Sequence, residues 1–327
     1  MKIIKLGDYG SAYVNEQFNP LLVDIEKLFS DNVLNNSATV CHYFPKSALL
    51  SIVKEQRLYF SDLEFLNDYS ESQPLYSVIE EAIAETETES PATRIMKDIL
   101  RIRPMLKDDI SFSHYEDNND DGFIYNRRNY VLCCSLDNDC LSNWKYYGKG
   151  SGYDAFNIMF KANSYLQFIE QTLRFNGYKC LSGSVIYDNE IKRRLIHELI
   201  HKINSFITAS NLTENMFRGL TTWLFYYIMD MSLFFKDSYY QDEKEYRFVL
   251  SLDNSKIKNN NLEYDFRFVN DILVPFLKIP FDKDMIETIC IGPCLNTDIS
   301  SKSLSAMLEY YDFKNAAIGV STIPLRY

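Results

Sequence analysis

The stretch QDEKEYRFVL, positions 241–250, brings together three residues whose types and spacing suit chemistry: Glu243, Glu245 and Arg247. On a strand, successive side chains point to opposite faces. Glu243, Glu245 and Arg247 therefore share one face, and Tyr246, Phe248 and Leu250 share the other. One face can bury while the other aligns two carboxylates and a guanidinium. A carboxylate fixed at the mouth of a strand stabilises a developing sugar cation, and a second one two residues earlier activates an acceptor. The same pattern also suits a half-solvated antiparallel strand with an ordinary charged outer face.

Two other groups have ligand or nucleophile chemistry. HELIH, positions 197–201, puts His197 and His201 on one face of a helix with Glu198 beside them, the spacing of a zinc hydrolase. At 100° per residue, however, Leu195, Ile196, Leu199, Ile200, Ile203, Phe206 and Ile207 gather on one side and the histidines fall nearly opposite, beside Arg194. That is a solvent face, Lys202 adds a repelling charge, and no metal ligand is assigned. The seven cysteines form no paired CxxC, so they read as reduced thiols and small core residues.

These residues need elements to position them. Helical spacing predicts a helix over 17–35, then a strand over 37–44 ending at Pro45, a helix over 46–56 and a strand over 58–61. Helices over 75–103 break at the acidic patch 85–90, and EDNNDDG at 116–122 is a loop. Strand 130–135, a short helix at LSNWKYYG, strand 153–160, helix 161–177 and strand 184–188 follow. Residues 190–235 are helical, and the strand carrying Glu245 comes next. After it stand a polar hairpin-like turn NSKIKNNN, an apolar run 272–279 interrupted by Pro275, strand 286–292, helix 300–311 and a last strand. Strands cluster without a regular βαβ rhythm, so the fold class is α+β with a mixed or antiparallel central sheet and helical insertions. Residues 1–36 form an N-terminal helical extension, and 37–327 a single domain with insertions over 75–110 and 190–235.

Composition narrows the function classes. The 327 residues are 46% hydrophobic and 24% charged, the balance of a globular chain, with a net charge of −11. Phosphate affinity needs a basic surface, so general nucleic-acid binding is excluded. MKIIKLGDYGSAY lacks the apolar core of a secretory signal, and the run 223–235 is broken by Asp230 and Ser232. The expectation is a cytoplasmic protein without membrane contact.

One constellation links the front of the chain to its back. His42 lies on the first core strand, on one face with Val40 and Phe44; Tyr59 and Ser61 lie on the second; Glu243 and Glu245 open a late one. With these come Phe65-x-Asn67-Asp68, CCSLDND and LSNWKYYGKGSG within 133–152, VIY at 185–187, EKEYR at 243–247, ICIGP at 289–293 and STIPLR at 321–326. As a set, from residue 38 onward, they resemble the bacterial family called domain of unknown function 2971, with Tyr69 where a proline usually follows the Asn-Asp pair. That family has no settled activity.

More distantly, the order of motifs is similar to ADP-ribosyltransferases, which place a His or Arg on the first strand, a Tyr or Ser on the second and a Glu at the start of a later one. The similarity implies NAD as substrate, with an ionised Glu245 on the ribose 2′-hydroxyl, Glu243 taking the nucleophile's proton and His42 holding ribose or amide. Tyr59 would stack on nicotinamide, and Arg247 would contact phosphate or keep Glu245 ionised. Ser61, Asn67, Asp68, Trp144 and Tyr147 complete the implied cofactor pocket. A nucleotide or dinucleotide ligand, a protein acceptor and a role as a bacterial toxin or defence effector follow from the same similarity. It requires His42 and Glu245 to face one cleft. Two alternatives stand beside it: a non-catalytic nucleotide- or protein-binding module, and a zinc hydrolase at HELIH.

Overall fold

Strand β3 (Arg127–Ser135) is the axis of the sheet. Strand β6 (Glu245–Asp253) lies along one whole edge of it, from Arg127↔Asp253 to Ser135↔Glu245, and β5 (Tyr178–Ser184) lies beyond β6. Two strands share the other edge of β3. β1 (Thr39–Pro45) meets one end at Cys41↔Ser135, and β2 (Arg57–Asp62) meets the other at Ser61↔Val131. The sheet thus forks at Cys133. One arm continues from β1 to β4 (Ala155–Lys161), β9 (Ile286–Ile291) and β10 (Ala317–Val320); the other runs from β2 to β8 (Ile272–Pro280) and β7 (Glu263–Val269). Every pairing is antiparallel except β9 with β10. The computed structural model describes residues 18–33, 38–66, 73–86, 89–107, 127–148, 155–173, 178–269, 271–294 and 296–324. Among these, ten strands form one mostly antiparallel sheet, the α+β class that the strand clusters imply.

Alternation along β6 sends Tyr246, Phe248, Leu250 and Leu252 to one face and Val249 to the other. The first face packs on α2 (Lys46–Glu55), α6 (Ala162–Thr172) and α10 (Thr297–Tyr310). The second is covered by α1 (Asn19–Val33), α3 (Gln73–Ala84), α4 (Pro91–Lys107), α7 (Asn189–Ala209) and α8 (Glu214–Ser232). Within this helical layer Phe29 of α1 packs edge-on against Tyr227 at 5.6 Å, and Phe18 against Phe206 at 6.1 Å. A short helix, α5 (Leu141–Tyr147), covers a third cluster of Cys41, Tyr43, Trp144, Ala155 and Cys290. No helix among the described residues is long and apolar enough to cross a membrane.

Three elements differ from expectation. The strand expected at 184–188 lies earlier, as β5, and Ile186 makes only an isolated bridge to Phe235. The small residues of CLSG pack against β6, with Ser182 accepting the Tyr246 hydroxyl at 3.2 Å, while the chain after Ile186 turns to Asp188, the N-cap of α7. NSKIKNNN is no hairpin turn: it begins α9 (Asn254–Asn259), and β7 follows it. Pro275 does not interrupt β8. It falls one residue past the end of the β2 ladder, where β8 has a neighbour on one side only, a setting in which a sheet tolerates proline. The loop expected at 116–122 lies outside the described residues.

In HELIH, α7 buries Leu195, Ile196, Leu199 and Ile203. His197 faces Glu85 at 3.3 Å and His201 is exposed. Among the described residues no three His, Cys, Asp or Glu side chains are grouped to hold a metal. The two faces of α7 predict opposite outcomes. Leu199→Ala should cost ~2–5 kcal/mol in chemical denaturation, and His201→Ala should stay within ~0.5 kcal/mol of wild type.

Candidate functional site at the sheet fork

Where β1 and β2 part, the Cys133 carbonyl has no strand opposite it. His42 takes that place, its Nδ1 at 2.9 Å from the Cys133 oxygen. A carbonyl only accepts, so Nδ1 carries the proton and Nε2 keeps a lone pair. Burial lowers the His42 pKa to about 4; the Cys133 hydrogen bond opposes this and the charge of Arg267 adds to it. The ring is therefore neutral near pH 7.

Around the fork, Tyr59 of β2 packs on Phe276 of β8 with ring centres 4.8 Å apart. Arg267 of β7 donates from Nη2 to Ser61 Oγ at 2.8 Å, and its guanidinium lies 5.9 Å from the Tyr59 ring centre and 5.4 Å from that of Phe276. Arg267 keeps exposed surface as a residue, but its guanidinium sits among Ser61, Tyr59 and Phe276, where burial lowers its pKa; no carboxylate forms an ion pair with it among the described residues. Tyr147, half-buried, stacks on Tyr43 at 6.0 Å and lies within electrostatic range of both Arg267 and Glu245.

On the helical side of the same strands sits a buried ion network. Arg247 is wholly buried, and its Nε and Nη2 donate to the two oxygens of Glu245, each at 2.9 Å. Its Nη1 donates to the Leu233 carbonyl at 2.7 Å, at the C-terminal end of α8 where the helix dipole favours a cation. Lys236 Nζ lies 3.3 Å from Glu245 and 2.7 Å from Glu243, and 4.5 Å from the Tyr240 ring centre. Burial opposes ionisation of Glu245, but Arg247 and Lys236 outweigh it and hold its carboxyl at about 2. Burial raises Glu243, whose side chain keeps 39% of its surface exposed, and Lys236 only partly offsets that rise.

His42 and Glu245 do not share a face of the sheet. Cross-strand neighbours Cys41, Ser135 and Glu245 point one way. His42, next along β1, alternates to the side of Val40 and Phe44 and turns its ring into the strand edge. Cys133 links the two groups, since its carbonyl meets His42 and its thiol lies on the Glu245 face, close enough to favour the ionised carboxylate. Trp144 is buried rather than open to a ligand: it packs edge-on to Tyr43 at 4.6 Å and donates Nε1–H to Asp139 at 2.8 Å. Asp139 also accepts from the backbone and hydroxyl of Thr322, each at 2.8 Å. Asn67 and Asp68 lie outside the described residues. Arg267 and Phe276 escape the motif reading. The visible signal is an arginine set among aromatic residues in EYDFRFV, a stretch with clean strand alternation.

Residues 143–248 match the family described as Protein of unknown function (DUF2971). The match runs from α5 into β6 and includes Trp144, Tyr147, Lys236, Glu243, Glu245 and Arg247, while β1 and β2 lie outside it. It is narrower than the resemblance drawn from residue 38 onward, and it brings no support to the more distant likeness to ADP-ribosyltransferases. No curated protein matches the chain, and no solved structure does.

Glu245→Gln leaves the Arg247 cation buried without its counter-charge, so it should cost ~3–5 kcal/mol of stability by denaturant titration. The pH dependence of stability separates two groups. Glu245 is depressed from 4.5 to about 2, so its contribution is full above 4.5 and is lost as pH falls toward 2. His42 is depressed from 6.5 to about 4, so unfolding takes up a proton between those values and stability falls as pH drops from 6.5 to 4. The difference in unfolding free energy between wild type and His42→Gln should shrink over that second window.

Proposed function

We propose that the chain is a binding module which holds an anionic, ring-bearing ligand of the nucleotide or dinucleotide class at the sheet fork, without turnover. The observation that carries this reading is Arg267. It keeps exposed surface, has no carboxylate partner among the described residues, and is steadied by Ser61 beside the Tyr59 and Phe276 rings. A guanidinium so placed suits a phosphate. The Tyr59 and Tyr147 rings suit a base. His42, neutral and bonded to the Cys133 carbonyl, closes the fork from the other face of the sheet rather than offering a ligand contact. Engagement of both Glu245 oxygens by Arg247 supports binding over catalysis through that carboxylate. The seven free cysteines suit a reducing cytoplasm as the setting.

The catalytic version of this reading is ADP-ribosyl transfer from NAD to a protein, with the partly open Glu243 as the working carboxylate. Calorimetric titration with NAD and with mononucleotides tests both, using wild type, Arg267→Gln and Glu243→Gln. Saturable binding should weaken roughly tenfold or more in Arg267→Gln, stay unchanged in Glu243→Gln, and return the nucleotide intact. Consumption of NAD or label transfer that Glu243→Gln abolishes would replace the binding reading with the transferase. Absence of heat with every nucleotide would remove this ligand class.

A further inference from the structure

Strand β7 ends one arm of the sheet, and no strand among the described residues pairs with its far side. Its residues from Glu263 to Phe268 are all exposed. Tyr264, Phe266 and Phe268 share one face at 38%, 51% and 77% exposure, with Leu273 of β8 beside them at 47%. Glu263, Asp265 and Arg267 share the other. This edge is seven residues long and has no proline, no lysine and a regular register to β8, which makes it a template for another strand. In the single chain Asp265 accepts the Phe266 N–H at 2.8 Å and pairs with Lys278 at 3.2 Å, and Arg267 donates to Ser61, so pairing exchanges these contacts for those of the second copy.

The strand is complementary to itself in one register. Two copies of one edge strand pair antiparallel about a two-fold axis normal to the sheet, and residues side by side must point to the same face. The axis therefore passes through a residue paired with its own twin. With Asp265 on the axis, two carboxylates meet. With Arg267 there, two guanidinium groups meet, and with Tyr264 there, Glu263 of each copy faces Asp265 of the other. Phe266 on the axis removes all of these conflicts. Asp265 then stands opposite Arg267 of the second copy, twice; Tyr264 stands opposite Phe268, twice; Phe266 meets its twin. Opposite charges and aromatic pairs are the cross-strand neighbours that stabilise a ladder.

We infer that the protein forms a two-fold dimer by antiparallel pairing of β7 with β7 of a second copy, with Phe266 on the axis. The pairing joins two sheets into one continuous sheet, and it engages the same Arg267 that the fork would offer to a phosphate, so the sedimentation series is run without nucleotide.

Sedimentation velocity of the full chain over a concentration series tests this. Wild type should move from monomer to twice the monomer mass. Phe266→Glu places two carboxylates across the axis and should raise the dissociation constant by more than roughly tenfold. Asp265→Arg should do the same, and Asp265→Arg combined with Arg267→Asp should restore the dimer. The inference is overturned if wild type stays monomeric, if the single variants leave the dimer intact, or if the exchanged pair fails to restore it. Asp265 and Arg267 are exposed, so should Phe266→Glu fail to fold by circular dichroism, the charge exchange decides the matter alone.

Discussion

Arg247 is a full positive charge with none of its surface in water. Desolvating such a group costs several kcal/mol unless its donors are met and its charge is paired. Glu245 answers on both oxygens and the Leu233 carbonyl answers from the end of α8. Much else follows from that arrangement. A slip of β6 by one residue would turn Arg247 into the apolar core that holds Phe248 and Leu250, so the pair fixes the register of the central strands. It also fixes where α8 must stop, and so where Lys236 and Glu243 come to lie.

Local patterns carried most of the fold. The alternation of EYRFVL gave the right faces for Glu245 and Arg247. Glu243, however, ends a 3-10 turn and Lys244 is left-handed, so it is Lys236 rather than a shared strand face that brings Glu243 to Glu245. The apolar stripe of α7 separated Leu199 from His201 as the helical period requires. The miss at β5 has a physical cause. β5 carries small polar residues in its interior that serve close packing against β6, whereas the strong β-formers Val185 and Ile186 fall where the chain turns toward α7. β7 alternates charged and aromatic residues cleanly and is legible in the sequence, where it falls unassigned between the polar stretch NSKIKNNN and the apolar run 272–279.

The site was less legible than the fold because the fork is a non-local feature. Nothing in YVLCCS announces that Cys133 lies between two strands which both abandon it. His42 was legible as a core-strand histidine, but its partner is a main-chain carbonyl, which leaves no side-chain pattern to read. The carboxylate pair was conspicuous, and its salt bridge was one of two roles open to Arg247. The structure gives Glu245 that partner on both oxygens and leaves the better-exposed cation, Arg267, in a strand that no motif covers.

The two arms of the fork also differ in when they can form. β1 finds its neighbours β3 and β4 by residue 161, while β2 pairs along its length with β8, which begins at Ile272. A chain emerging in order can therefore seat β1 between β3 and β4 while most of β2 still lacks a neighbour. Long-range antiparallel pairing is slow, and bare edges invite association with other chains. The fork thus gains its two walls at separate times, the β1 wall early and the β2 wall only when β8 arrives, and a chaperone that shields strand edges would act on β2 in the interval.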